Sequence, residues 1–141
     1  MNNEIVNPLK GKELRDLARS NPENAYRYLE ENKQLWIQIA TKDPFDSADA
    51  LEEFEPAEAG RLITELPTLI AVKIFESLRP RAIIEIVESL NDTDVEEIFK
   101  QMDTEDIVDV LERSTDDETD EMLEILDKST KLNIDRRPVS Y

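Results

Sequence analysis

Residues 91–112 read N-D-T-D-V-E-E-I-F-K-Q-M-D-T-E-D-I-V-D-V-L-E, and nine of these twenty-two side chains are carboxylates opposed only by Lys100. Carboxylates at that density can hold a hard divalent cation, exchange protons in catalysis, or form the wet face of helices. A calcium loop of the EF-hand kind does not fit. Counting from Asp92, positions 3 and 5 are Asp94 and Glu96, but position 6 is Glu97 where glycine is required and position 12 is Asp103 where glutamate is required. The chain has no histidine and no cysteine, which removes the commonest general base, the preferred zinc ligands and any disulfide. It carries no G-x-S-x-G, no P-loop and no G-x-G-x-x-G. An enzyme is not expected.

The charge is unevenly placed. Of the net −17, residues 91–127 contribute −14, from sixteen Asp/Glu against two Lys/Arg. Such a surface repels nucleic acid and anionic membranes, and it attracts divalent cations or a basic protein face. No nucleic-acid partner is expected. The N-terminus, M-N-N-E-I-V-N, lacks the features of a signal peptide. No apolar run approaches the roughly 20 residues a membrane helix needs, so direct membrane insertion is not expected.

The elements that position the carboxylates follow from a twelve-residue period. Phe54, Leu66, Leu78, Leu90, Met102, Ser114 and Leu126 stand twelve apart. Four before them stand Ala50, Leu62, Ile74, Ile86, Ile98, Val110 and Met122; three before, Leu51, Ile63, Phe75, Val87, Phe99, Leu111 and Leu123; seven before, Ser47, Ala59, Ala71, Ile83, Val95, Ile107 and Thr119. Each unit presents one apolar helix face, at i, i+3, i+4 and i+7. One continuous helix is excluded, because at about 100° per residue the stripe would wind around the rod. Pro44, Pro56 and Pro80 also recur at one repeat position, where proline suits a first turn and breaks an interior. Asp43, Asn91, Asp103 and Thr115, just before that position, are expected N-caps.

The expected fold is all-α, a right-handed superhelix of about ten short helices spanning residues 1–127. Three less regular helices near 8–19, 22–31 and 33–41 precede the array, the second capped by Asn21, with Trp36, Tyr26 and Tyr28 in the core. Asp92, Glu105, Asp106, Asp116 and Asp117 are expected in first turns, where acids complement the helix dipole. Glu112 and Glu124 are expected in last turns, where they do not. After Asp127 the stripe stops, and residues 128–141 are expected to form a linker.

The units L-P-T-L-I-A-V-K-I-F-E-S-L, R-P-R-A-I-I-E-I-V-E-S-L, N-D-T-D-V-E-E-I-F-K-Q-M and D-T-E-D-I-V-D-V-L-E resemble the N-terminal domain of MgtE-type magnesium transporters, over about residues 43–127. The ending Val139-Ser140-Tyr141 is similar to the point in that family where paired CBS domains begin. The resemblance implies an N-terminal piece of a homodimeric integral membrane transporter, lying at the cytoplasmic face of the cell membrane, with CBS domains of the same polypeptide or dimer as its partners. It implies that intracellular magnesium bridges acidic faces of the two domains and favours a closed pore. The family's D-D-L-A-D-x-L stretch is matched by Glu105-Asp106-Ile107-Val108-Asp109-Val110-Leu111. Glu105, Asp106 and Asp109 are therefore the candidate magnesium ligands, with Asp94 and Asp103 as helpers, in a half-site that binds Mg2+ weakly until a partner completes it. A further family acid is replaced here by Lys73. The short-helix repeat is also similar to the flagellar rotor adaptor FliG, so a scaffold without ion dependence is the alternative function.

Overall fold

The computed structural model describes residues 9–134, with side chains through Asp127. Ten helices follow one another with short corners: α1 (Gly11–Ser20), α2 (Pro22–Glu31), α3 (Lys33–Lys42), α4 (Pro44–Leu51), α5 (Pro56–Thr64), α6 (Thr68–Ser77), α7 (Pro80–Ser89), α8 (Asp92–Gln101), α9 (Thr104–Glu112) and α10 (Asp116–Ile134). No strand occurs among the described residues. The helices α4 to α10 begin at residues 44, 56, 68, 80, 92, 104 and 116, so the sequence period is the structural period. Pro44, Pro56 and Pro80 stand in the first turns of their helices, where the missing N–H is no loss.

Helices this short do not persist alone; burial of the stripe against neighbours holds them. The helices α1, α4, α6, α8 and α10 stack in one row, and α2, α5, α7 and again α10 in the other. All seven residues of the central stripe position, Ala50, Leu62, Ile74, Ile86, Ile98, Val110 and Met122, are buried. Burying an aliphatic or aromatic side chain contributes about 1.5–3 kcal/mol, so the stripe is the main source of stability. Leu123 departs from its expected place and is 48% exposed. Its counterparts Leu51, Ile63, Phe75 and Val87 are buried and Phe99 and Leu111 half-buried, and no helix follows α10 among the described residues.

Trp36 is fully buried and its indole N–H donates to the Leu62 carbonyl at 2.9 Å, which ties α3 to α5. Tyr26 packs edge-to-face on Phe54, with ring centroids 5.9 Å apart. The aromatic residues near the N-terminus are thus core.

Three of the expected caps are made within their own helices. Asn21 accepts from the Asn24 N–H, Asn91 accepts from the Asp94 N–H, and Thr115 and Glu118 form a reciprocal capping box. Asp43 does something else: its Oδ2 accepts from the N–H of Gly11 at 3.2 Å, capping α1 from the start of α4. The approach is close because residue 11 has no side chain; a Cβ there would lie 2.4 Å from the Asp43 Cβ.

The last helix also corrects a boundary. α10 runs to Ile134, beyond the end of the apolar stripe at Leu126. No proline or glycine interrupts residues 116–134, so backbone hydrogen bonding carries the helix on where the stripe stops. Glu124 consequently stands in the middle of α10 and not in a last turn. The expected linker is helical through 134, and residues 135–141 lie outside the described residues.

Candidate functional site

α9 carries the densest group of candidate ligands. Its start is fixed by Asp103 at the N-cap, with extended backbone, and by Asp106, whose Oδ2 accepts from the Asp103 N–H at 3.3 Å. Its apolar side, Val110 with Ile107 and Leu111, faces the core. At 100° per residue, Asp109 falls between Glu105 and Asp106 around the helix, so the three carboxylates fan over about 100° of its outer side. Glu105 and Asp109 are exposed, and Asp106 is half-buried.

The end of α9 is locked onto α6. The Arg113 guanidinium donates to the Leu78 carbonyl at 3.1 Å and to the Glu76 carbonyl at 3.2 Å. These carbonyls belong to the C-terminal turn of α6, where a cation complements both the orphan acceptors and the dipole. Between α4, α6 and α9 this leaves an open groove of about 510 Å³. Pro44 and Phe45 form one wall, Lys73 and Glu76 another, and Asp106 and Asp109 a third.

The structure therefore sorts the five candidate residues. Asp106 and Asp109 are brought together on the groove. Glu105 lies beside them on the same helix, outside the groove lining. Asp103 stands at the exposed start of α9, and its charge reaches Glu76. Asp94 is half-buried in the first turn of α8 and does not line the groove. Among the described residues no three carboxylates converge on a point where they could enclose a metal ion. Lys73 opens onto the groove with the acids.

Sequence reasoning missed two members of this face. Glu76 is half-buried at the end of α6, and its carboxyl is pushed above the usual carboxylate range, first by burial and then by Asp106, with Lys73 opposing. An acid in the last turn of a helix, against the dipole, was the available signal. Phe45 is 74% exposed. Its repeat position is held by Phe45, Ala57, Leu69, Arg81, Thr93, Glu105 and Asp117, and all seven are exposed. A large apolar residue in a register that faces water was the signal there.

Residues 42–136 match the family described as MgtE intracellular N domain. The chain belongs to that family. The match covers all of α4 to α10 and includes both walls of the groove that carry acids. It makes this an MgtE-type N domain, the regulatory N-terminal domain of a magnesium transporter. No curated protein and no solved structure matches the chain. No helix of the described residues is long and apolar enough to cross a membrane.

Proposed function

We propose that this MgtE N domain reports intracellular magnesium to its transporter through the outer side of α9. The observation that carries the reading is the placement of Glu105 and Asp109, two exposed carboxylates one turn apart, within the matched family region. The chemistry of the donors fits. Magnesium takes oxygen ligands, keeps several waters and commonly uses one or two protein carboxylates. Glu105 and Asp109 would supply those oxygens, with Asp106 beside them and Asp94 and Asp103 adding negative potential. The lack of a third converging acid fits a half-site that a facing domain completes.

CBS domains of the same polypeptide or dimer are the proposed facing partner. A bound ion would neutralise two acidic faces that otherwise repel, favouring the compact arrangement and a closed pore. At low magnesium the repulsion of α9 would favour the open arrangement. This is a population shift driven by differential binding. The proposed setting is the cytoplasmic side of the membrane, in a homodimeric parent, and the role is regulatory and not catalytic.

The test is transport in the full-length protein carrying Glu105→Gln/Asp109→Asn, compared with Asp117→Asn/Asp120→Asn on the exposed side of α10. The α9 pair should require a higher magnesium concentration for inhibition, and the α10 pair should not. Equal shifts from both pairs would reduce the effect to diffuse charge and end the reading.

A further inference from the structure

The two helices at the end of the array are docked more lightly than the rest. α6 buries Ala71, Val72, Ile74 and Phe75, whereas α9 buries Val110 alone and α10, over its described side chains, Met122 alone. The stacking rule also changes here. α4 packs on α6, α5 on α7 and α6 on α8, but α7 packs on α10 more than on α9. The seam is imperfectly filled: Phe75, Ile83 and Phe99 on one side, and Val110, Met122 and Leu126 on the other, line a small apolar void. Dispersion contacts are lost along such a gap. At the edge of the seam the carboxyls of Glu76 on α6 and Asp106 on α9 meet, and two like charges oppose docking at neutral pH. Two arginines hold the seam from its ends. Arg113, just after α9, donates to the Leu78 and Glu76 carbonyls. Arg81 on α7 reaches α10, its Nη2 2.9 Å from Glu121 Oε1 and its Nε 3.7 Å from Glu118 Oε2. Partly exposed pairs of this kind are weak fastenings.

We infer that α9 and α10 form a latch, which undocks from α6, α7 and α8 and closes again as one unit while α1 to α8 stay folded, with Arg81 and Arg113 as its clasps. The stability of a solenoid is a sum of unit and neighbour terms, so an end unit with few buried contacts opens without the rest. The two helices move together because residues 113–115 are all that joins them, and because Val110 and Met122 line the same void. Open, the latch bares Val110 and Met122 and parts Asp106 from Glu76. Closed, it presents Glu105 and Asp109 on a fixed surface. The inference concerns the motion of the helix that carries these acids, and it stands whether or not they hold an ion.

The experiment is native-state hydrogen exchange of the 141-residue chain, at neutral pH without magnesium, in guanidinium chloride below the unfolding transition. Corrected for intrinsic rates, the slowest amides of α9 and of α10 through Asp127 should exchange at one common rate, at least about tenfold faster than those of α5 to α7. Arg81→Met should speed α9 and α10 together by about two- to fivefold and leave α1 to α5 unchanged. Arg81 reaches α10 alone, so the response of α9 is the mark of a single unit. Arg113→Met should act on both helices in the same way from the other clasp. Leu29→Ala, at the far end of the array, should speed α1 to α3 and leave α9 and α10 as they are. Equal protection of α9–α10 and α5–α7 in the wild-type chain would overturn the inference. So would Arg81→Met speeding α10 without α9, or either arginine variant speeding the whole chain evenly. Because no magnesium is present, the transport test stands or fails separately.

Discussion

The carboxyl of Glu76, at the end of α6, faces the carboxylate of Asp106, in the first turn of α9. Burial raises the Glu76 pKa above its ordinary 4.5, Asp106 and Asp103 raise it further, and Lys73 opposes them. Thirty residues of sequence separate these two groups, which meet in the groove.

That relationship sets a pH dependence. A carboxyl whose folded pKa is raised holds its proton more tightly in the native state, so its contribution to stability falls as pH rises from the ordinary value of 4.5 through the raised one. Glu65 adds the same sign: its pKa is raised by burial and by Glu30, against Lys33. Mild acidification from neutral pH should therefore raise the melting temperature. Relief of the overall negative charge acts in the same direction, so the variant Glu76→Gln is the discriminating measurement. It should melt higher than wild type at neutral pH and show a shallower rise on acidification. An unchanged pH slope would show that the Glu76 carboxyl is not raised in the folded chain.

The two glycines mark two close approaches of different tolerance. A Cβ at Gly11 meets the Cβ of Asp43 at 2.4 Å, while a Cβ at Gly60 meets the Ser89 hydroxyl oxygen at 2.7 Å and Leu90 at 3.1 Å. The Ser89 hydroxyl is held by the Pro56 and Ile86 carbonyls, yet it is the end of a rotatable side chain. Asp43 is held through its backbone at the start of α4. Gly60→Ala should cost about 1–3 kcal/mol by overpacking, partly offset by alanine's better helix propensity. Gly11→Ala should cost more, because it also lengthens the Asp43 hydrogen bond to the residue 11 N–H. Chemical denaturation of both variants checks the order.

Among the described residues, Ser47 is the one polar residue with a buried side chain, and its hydroxyl finds no hydrogen-bond partner there. It occupies a stripe position that is Ala in the next two units, Ala59 and Ala71. Removing a buried unpaired hydroxyl without changing the packing volume should stabilise the protein by about 1 kcal/mol. Ser47→Ala should melt higher than wild type. A lower melting temperature would place an acceptor for Ser47 in the native core.

The array was legible because its signals agree. Pro44, Pro56 and Pro80 mark where helices begin, and the stripe from Ala50 to Met122 marks which side they bury. The period then puts every start from residue 44 to 116 where the structure has it. What stayed hidden are the relations between units. Asp43 reads as a cap for its own helix, and only packing of α1 on α4 sends its carboxylate to Gly11. Glu76 and Asp106 belong to different repeats and different register positions, so no spacing rule joins them. The candidate ligands Glu105, Asp106 and Asp109 can be picked out as one acidic run in α9, but the run does not tell which of them turn toward α6. The continuation of α10 to Ile134 leaves no mark in the stripe, because the stripe marks only the buried part of a helix.

Magnesium should act weakly on the chain by itself. Glu105 and Asp109 offer two carboxylates on one exposed side of α9, and no third acid converges with them among the described residues. An ion held by so few protein ligands keeps most of its water, so its dissociation constant stays high and its stabilising effect small. Linkage gives roughly 0.4 kcal/mol when free ion equals the dissociation constant, and more only logarithmically above it. Melting curves in magnesium chloride and in sodium chloride at matched ionic strength separate binding from screening. Magnesium should add a small rise over the sodium control, and Glu105→Gln/Asp109→Asn should remove most of that difference. Asp117→Asn/Asp120→Asn should leave it in place. A large rise, saturating at low magnesium in the wild-type chain, would mean that this domain completes its own ion site and needs no facing partner.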